Sequence, residues 1–211
     1  MRILKSILIV AMLSFVAVSC SDNNDIVPDE ASAKQVVNLH AKQTTDRSVH
    51  PAVESGEFVK FSFKSGTIVT NDNWDIAFRG TTILVNGGEP TGITQEPNRK
   101  GNAALTIVEG KFSEIKTVPS AAVFKQDAAD ALALPKGSWY TYSGMPHHRI
   151  DPILGKVFVI KTTDGNYAKM EIISYYKDMD SSNSADPANS GAQYYTFNYV
   201  YNVNSGDKNF Q

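Results

Sequence analysis

The sequence predicts an all-β fold: a single antiparallel β domain of curved, packed sheets with one short inserted helix. The aromatic residues are mainly tyrosine and phenylalanine, 9 and 10 against 2 tryptophans, and such residues favour strands. Several short segments alternate apolar and polar residues, which is the pattern of a strand with one buried face. The dipeptide Asp164-Gly165 joins two such segments and is typical of a β-hairpin turn.

Composition places the chain among folded proteins and excludes some functions. Hydrophobic residues make up 42% and charged residues 20% of the 211 residues, which is typical of one globular domain preceded by an export segment. The net charge of −2 and the lack of a basic patch argue against nucleic acid as a partner. The sequence contains no G-x-S-x-G, H-E-x-x-H, phosphate-loop or G-x-G-x-x-G motif. We therefore do not expect the protein to be an enzyme.

Residues 1–19 are predicted to be a lipoprotein signal peptide. Basic residues Arg2 and Lys5 precede an apolar run at 7–18 that is too short to span a bilayer comfortably. Ser19-Cys20 follows as a relaxed lipobox, in which the chain is cut before Cys20 and the thiol is acylated. The alternative is ordinary secretory cleavage nearby that leaves a free Cys20.

The domain boundaries follow from this start. Cys20 is the only cysteine, so no intrachain disulfide holds the fold. A polar tether is predicted over 20–45, with one early strand at Val36 to Leu39. The β domain is predicted over 46–211.

The strands are predicted where apolar residues alternate or where β-rich runs end at turn residues. In E-F-V-K-F-S-F-K, residues 57–64, the side chains of Val59, Phe61 and Phe63 share one face. Further strands are predicted in N-W-D-I-A-F-R-G (73–80), T-T-I-L-V-N-G-G (81–88), Ala104 to Val108 and Y-Y-T-F-N-Y-V-Y (194–201).

The inserted helix is predicted to follow Ser120, which can cap its start. An apolar stripe at helical spacing supports it, formed by Phe124, Ala128, Ala131 and Leu132. Pro135 and Gly137 are predicted to end it.

The strongest local prediction is a hairpin over 156–176 with a two-residue loop at Asp164-Gly165. That loop length fixes the register, so that Thr163 faces Asn166 and Val159 faces Met170. One apolar face then points to the core, formed by Val157, Val159, Ala168, Met170 and Ile172.

Three stretches together resemble the HmuY family of haem-binding bacterial lipoproteins: Asn73 to Gly88, Lys156 to Tyr176, and the aromatic terminal strand. The resemblance implies a curved, mostly β protein that grips haem at one edge. Such a protein takes haem from its surroundings or from host haemoproteins and passes it to a TonB-dependent receptor, which serves iron acquisition without chemistry on the porphyrin. It also implies lipid anchoring at the outer membrane. The acidic run S-D-N-N-D (21–25) resembles the surface-export signal of Bacteroidota lipoproteins.

The resemblance also directs attention to Y-S-G-M-P-H-H-R-I-D-P, residues 142–152. In the family, two axial side chains, His or Met, hold the iron, and one lies shortly after the tryptophan that precedes the hairpin, here Trp139. Met145 is therefore the first candidate ligand, His148 the second and His147 the third, since thioether and imidazole both bind haem iron. The alternatives are a methionine that fills the core and two solvated histidines.

The second axial ligand of the family is missing from its expected place. Between Thr117 and Trp139 the sequence has no His, Met or Cys. Five-coordinate iron, two ligands from one loop, a ligand from elsewhere, or no iron are the open alternatives. Adjacent histidines in extended backbone point to opposite sides, which also weakens a zinc interpretation.

Further candidates for the haem site lie in and near this loop. Met170 and Met179 are less favoured as ligands, because Met170 is predicted to be core and Met179 lies in a polar loop. Tyr140 and Tyr142 are candidates to pack against the porphyrin, and Arg149 or Lys156 to pair with a haem propionate. The alternative function is a surface lipoprotein of the same fold that binds a non-haem ligand or a protein partner.

Overall fold

The structure is a computed structural model that describes residues 32–120, 122–186 and 189–210. Cys20 and the predicted signal peptide lie outside the described residues. The described residues form these strands: β1 (Lys34–His40), β2 (Thr44–Asp46), β3 (Val53–Ser55), β4 (Val59–Ser62), β5 (Thr67–Ile68), β6 (Ile76–Arg79), β7 (Thr82–Val85), β8 (Ala104–Glu109), β9 (Tyr140–Tyr142), β10 (Ile150–Pro152), β11 (Lys156–Lys161), β12 (Tyr167–Tyr176) and β13 (Ala192–Asn202).

Two antiparallel sheets make up the body of the protein, which confirms the all-β prediction. The main sheet has the strand order β1-β13-β12-β11-β8, and the second sheet has the order β5-β4-β6-β7. Aromatic rings join the two sheets: Phe61 of β4 lies 5.3 Å from Phe197 of β13, and Phe78 of β6 lies 4.8 Å from Tyr195. The core therefore lies between the sheets, while β2–β3 and β9–β10 form separate hairpins.

The early strand predicted around Val36 to Leu39 is confirmed as β1, which pairs with β13 at the edge of the main sheet. Leu39 is only 2% exposed and belongs to the core. The ordered sheet thus includes residues that the sequence analysis assigned to the tether.

The predicted helix after Ser120 is wrong. No helix forms in residues 122–138; instead Lys125 pairs with Leu105 beside β8 through reciprocal backbone bonds of 2.8 and 2.9 Å. The apolar stripe is split between two clusters, because Phe124 packs near Val159 and Leu132 packs near Trp74. Tertiary partners thus override the helical spacing.

The predicted hairpin is present, but its register is wrong by one residue. The loop has three residues, since Thr162 pairs with Asn166 across it (N to O, 2.9 Å) and Phe158, not Val159, faces Met170. The main core face therefore consists of Phe158, Ile160, Ala168, Met170 and Ile172. Val159 points to the other side of the sheet, against Val200 and Phe210.

The one helical turn in the described residues is a 3-10 turn, Lys177–Met179, directly after β12. None of the described helical structure has the length and apolar character needed to cross a membrane.

Candidate functional site

The β9–β10 hairpin carries the loop with the candidate ligands. In its register Tyr142 faces Ile150 and Tyr140 faces Pro152. Trp139, just before β9, is 2% exposed, and its indole N–H donates to the carbonyl oxygen of Thr81 at 3.2 Å. The base of the hairpin is therefore anchored in the core.

A second anchor lies nearer the loop. The backbone N–H of Ile150 donates to the hydroxyl oxygen of Tyr176, the last residue of β12, at 2.9 Å. Burial raises the pKa of the Tyr176 hydroxyl, which keeps it neutral. The sequence analysis did not single out Tyr176, although its place at the end of an aromatic strand is a visible signal.

The loop itself, residues 143–149, is closed by its own hydrogen bonds. The N–H of Ser143 donates to the carbonyl oxygen of Arg149 at 2.9 Å, and the N–H of Arg149 donates back to Ser143 Oγ at 2.9 Å. The N–H of His148 donates to the carbonyl oxygen of Gly144 at 2.8 Å. With φ of 70° at Gly144 and 49° at His148, the chain turns back tightly and displays residues 145–148 at the tip.

The three candidate ligands in this loop all face solvent. Met145 is 83% exposed, so it does not fill a gap in the core. His147 is exposed, and its ring has no hydrogen-bond partner among the described residues. His148 is also exposed, but its Nδ1 contacts the hydroxyl of Tyr142 and the two rings stack at 5.9 Å between centroids. The structure therefore brings Tyr142 and His148 together.

The four residues predicted to pack against the porphyrin or to pair with its propionates lie in different environments. Tyr140 packs edge-on against Trp139 at 4.7 Å, on the core side, whereas Tyr142 is 55% exposed. Arg149 Nε donates to both carboxylate oxygens of Asp151 at 2.7 and 2.8 Å, and this bond raises the pKa of Arg149. The ammonium of Lys156 donates to Glu109 on β8, at the opposite end of the hairpin from the loop.

Met170 and Met179, the two less favoured ligand candidates, differ in their exposure to solvent. Met170 is 1% exposed inside the core, in agreement with its interpretation as a core residue. Met179 is 54% exposed in the 3-10 turn after β12. Because that turn follows Tyr176 directly, and Tyr176 contacts Ile150, Met179 lies at the same end of the main sheet as the loop.

The turn that displays Met179 is held from β1. Asn38 Nδ2 donates to Asp178 Oδ1 at 2.6 Å, and the Asp178 N–H donates to Asn38 Oδ1 at 2.8 Å. Asn38, Asp178 and Met179 all have positive φ, at 58°, 53° and 60°. Such backbone is uncommon outside glycine and is often found at functional sites. The sequence alone gives no signal for a contact between residues 140 positions apart.

Four surface clefts of the protein lie away from this loop. Four clefts of about 370 to 480 Å³ are lined by other segments, and residues 143–149 line none of these four. Within the part of the chain that the structure describes, no group of three or more His, Cys, Asp or Glu side chains is placed to hold a metal ion. The tip is therefore an open edge that offers one thioether and two imidazoles.

Comparisons with solved structures give distant neighbours. A candidate lipoprotein from Bacteroides fragilis NCTC 9343 is 15% identical with a TM-score of 0.49, covering 83% of this chain and 91% of that one. The apo HmuY analog of Tannerella forsythia is 15% identical with a TM-score of 0.44, covering 82% and 96%. A candidate HmuY-like haem-binding protein from Bacteroides vulgatus ATCC 8482 is 12% identical with a TM-score of 0.47, covering 83% and 93%.

Comparison of the sequence with known protein families decides to which family the chain belongs. No curated protein matches the chain. The sequence profile described as HmuY protein matches residues 54–199, which is more than half of the chain and runs from β3 to β13. The matched region includes the second sheet, the main sheet apart from β1 and the end of β13, and the β9–β10 hairpin with its exposed loop. The chain therefore belongs to the HmuY family.

Proposed function

We propose that the protein is a surface lipoprotein that binds haem and passes it to an outer-membrane receptor. The observation that carries this proposal is the match to the HmuY family over residues 54–199. That family is one of haem-binding bacterial lipoproteins. The proposed role is binding and transfer, with no reaction on the porphyrin.

The proposed haem site is the tip of the β9–β10 hairpin. Haem would be held through its iron by a side chain that can reach it, so a ligand on an exposed edge would be accessible to it. Met145 and His148 both meet that requirement, because both side chains reach solvent. His148 is the better placed of the two, since its ring is held against Tyr142 whereas the Met145 side chain is 83% exposed. A ligand that is already oriented loses less conformational entropy on binding.

Met179 is the second side chain that would hold the haem iron. This residue lies at the same end of the main sheet, is exposed, and is displayed by a turn that the Asn38–Asp178 pair holds in place. A thioether together with an imidazole is a haem ligand pair found in cytochromes c. Met179 thus supplies a partner that the segment between Thr117 and Trp139 lacks.

The two charged candidates, Arg149 and Lys156, are less favourable partners for a haem propionate because each is already paired. Arg149 is already paired with Asp151, so a propionate has to compete for it. That competition is modest, because exposed ion pairs contribute about 0–1 kcal/mol. Lys156 is paired with Glu109 at the far end of the hairpin and is not expected to reach the same porphyrin.

Haem titration of the purified protein tests the site. We expect a Soret shift with the wild-type protein, and a loss of affinity of about tenfold or more for His148→Ala, because one iron bond is lost. Met145→Ala, His147→Ala and Met179→Ala, measured in ferric and ferrous states, decide between the candidate ligands. A matched control is His40→Ala, an imidazole on β1 that stacks on Tyr194 at 4.1 Å.

Two results would count against this proposal. If all four variants bind haem with the wild-type spectrum and affinity, the loop is a connector and the ligand lies elsewhere. If the wild-type protein gives no Soret shift in either oxidation state, the ligand is not haem, and a non-haem ligand or protein partner takes its place.

Lipid anchoring through Cys20 is part of the same proposal, and it rests on the sequence because Cys20 lies outside the described residues. The basic start, apolar run and Ser19-Cys20 junction together form the export signal. Cys20→Ser is expected to release the protein from the membrane fraction. Its retention in the outer membrane would contradict the lipoprotein interpretation.

A further inference from the structure

The side chains of Tyr142 and His148 contact each other through polar atoms at the hairpin tip. The Tyr142 hydroxyl lies within hydrogen-bond reach of His148 Nδ1, and the ring planes are inclined by only 29°. Tyr142 ends β9, so its backbone is fixed by the pairing with Ile150. A residue of the strand thus supports a residue of the loop.

The backbone of the loop holds His148 in place for this contact. Its N–H is bonded to the Gly144 carbonyl oxygen at 2.8 Å, its φ is 49°, and its ring lies against Tyr142. The neighbouring His147 has no such contact among the described residues. Of the two adjacent imidazoles, only His148 is therefore oriented.

The contact at Nδ1 determines which nitrogen is left for a ligand. His148 Nε2 has no hydrogen-bond partner within residues 32–120, 122–186 and 189–210. In the free protein either the hydroxyl or the ring can donate, because a neutral imidazole has two tautomers. A haem iron held at Nε2 would use the lone pair of that nitrogen, so the ring proton would lie on Nδ1. The Nδ1–H would then donate a hydrogen bond to the hydroxyl oxygen of Tyr142.

Metal-bound histidines commonly donate their other ring N–H to an oxygen, which fixes the ring and makes it a stronger ligand. We propose that Tyr142 is a positioning residue for haem binding, whose hydroxyl oxygen accepts a hydrogen bond from the Nδ1–H of His148 while Nε2 holds the iron. This inference rests on the proposed function, because it requires haem at the hairpin tip. It adds a polar role for Tyr142, beyond packing of its ring against the porphyrin.

The variant that tests this role is Tyr142→Phe, which keeps the ring and removes the oxygen. Haem affinity is expected to fall by about tenfold, the lower end of the range for outer partners of metal ligands, because water replaces part of the bond at an exposed site. The iron–imidazole stretching frequency, measured by resonance Raman on the ferrous complex after photolysis of its CO adduct, is expected to fall as well. Loss of ring packing alone does not change that frequency in this direction.

Two controls separate the hydroxyl from other effects. Tyr194→Phe removes a hydroxyl from a second stacked tyrosine–histidine pair, Tyr194 with His40, and it is expected to leave affinity and frequency unchanged. In a His148→Ala background, Tyr142→Phe is expected to have no further effect, because its partner is absent.

The results distinguish this inference from the proposed function. Wild-type protein that gives no Soret shift overturns both. Wild-type protein that binds haem, with Tyr142→Phe unchanged in frequency or equally harmful with and without His148, overturns the role of Tyr142 and leaves haem binding intact. A His148→Ala protein with the wild-type spectrum has the same consequence.

Discussion

Asp127 explains why residues 122–138 are not helical. Its Oδ2 accepts the N–H of Val85 at 3.0 Å and an ion pair from Arg99 at 2.9 Å, and its Oδ1 accepts the N–H of Ala133 at 2.8 Å. The side chains of Asp127 and Arg99 are 0% and 3% exposed. One buried carboxylate thus ties β7, the Arg99 loop and the segment before β9 together.

Asp127→Asn is expected to destabilise the protein by about 3–5 kcal/mol, because an amide can accept only part of these bonds and leaves buried Arg99 poorly paired. Chemical denaturation at neutral pH measures the change in the free energy of unfolding. The matched control is Asp72→Asn, whose partner Lys100 is 64% exposed, and we expect little change there. Similar stability of the two variants would show that the Asp127 network does not hold this segment.

For the hairpin tip, the sequence predicted the individual candidate residues but not the contact between them. His148 and Tyr142 were both identified, but for separate reasons, since one is a ligand type and the other an aromatic ring. Their contact depends on the turn at Gly144 and His148, where φ is positive at both. Positive φ at histidine is not visible in residue order, so the pairing required the structure.

The β11–β12 hairpin shows how a tertiary contact changes a local prediction. The Asp164-Gly165 dipeptide predicted a two-residue loop, but Thr163 is used elsewhere. Its N–H donates to Asp75 Oδ1 at 2.8 Å, and its hydroxyl donates to the Trp74 carbonyl oxygen at 2.7 Å. Thr163 therefore joins the loop, and every pair along the two strands moves by one residue.

Burial and hydrogen bonds have opposite effects on the pKa of Asp75. Burial raises the pKa of Asp75, against the opposing effect of the N–H bonds from Thr163 and Phe63. The carboxylate joins the hairpin loop to the second sheet across 88 positions of sequence. A contact of that range is beyond what periodicity and turn residues can predict.

Gly165 is the residue of this loop that demands a special backbone. Its φ is 86°, and a Cβ atom built there meets nothing within 4 Å, so a substitution suffers from conformation and not from a clash. Gly165→Val is expected to cost about 1–2 kcal/mol, because left-handed backbone is unfavourable for residues with Cβ and most of all for β-branched ones.

Gly165→Asn is the control for this prediction, because asparagine tolerates left-handed backbone better than other non-glycine residues. Urea denaturation of both variants gives their free energies of unfolding. The two values can be compared directly if the free energy depends on urea concentration with a similar slope in both variants. A valine variant as stable as the asparagine variant would mean that the loop adopts another conformation.

At the scale of the whole molecule, the sequence predicted the class of fold, and the strands between residues 57 and 109 and in the terminal segment were found near their expected positions. The pairing of the two sheets was not predicted, because alternation gives the buried face of a strand but not its partner. Phe61 shows this: it was placed on an apolar face, yet only the structure shows it against Phe197.

The extent of the domain follows from β1. Its residue Leu39 is 2% exposed, and the next residues continue the contact: the Ala41 carbonyl oxygen accepts the N–H of Gly80 at 2.7 Å, and the Ala41 N–H donates to Gln193 at 2.8 Å. This short segment therefore bridges the main sheet and the β6–β7 turn. It also covers the edge of β13, which is a long strand of 11 residues.

A chain that begins at residue 46 is expected to lose about 3 kcal/mol or more of stability relative to one that begins at Lys34. Burial of a single leucine contributes about 1.5–3 kcal/mol, and the bonds of Ala41 add to it. The exposed edge of β13 is also expected to promote association between copies. Thermal unfolding and size-exclusion chromatography of both chains measure the two effects. Because the longer chain differs only by residues 34–45, equal stability and a monomeric state in the shorter one would mean that β1 is an accessory strand and that the domain begins after it.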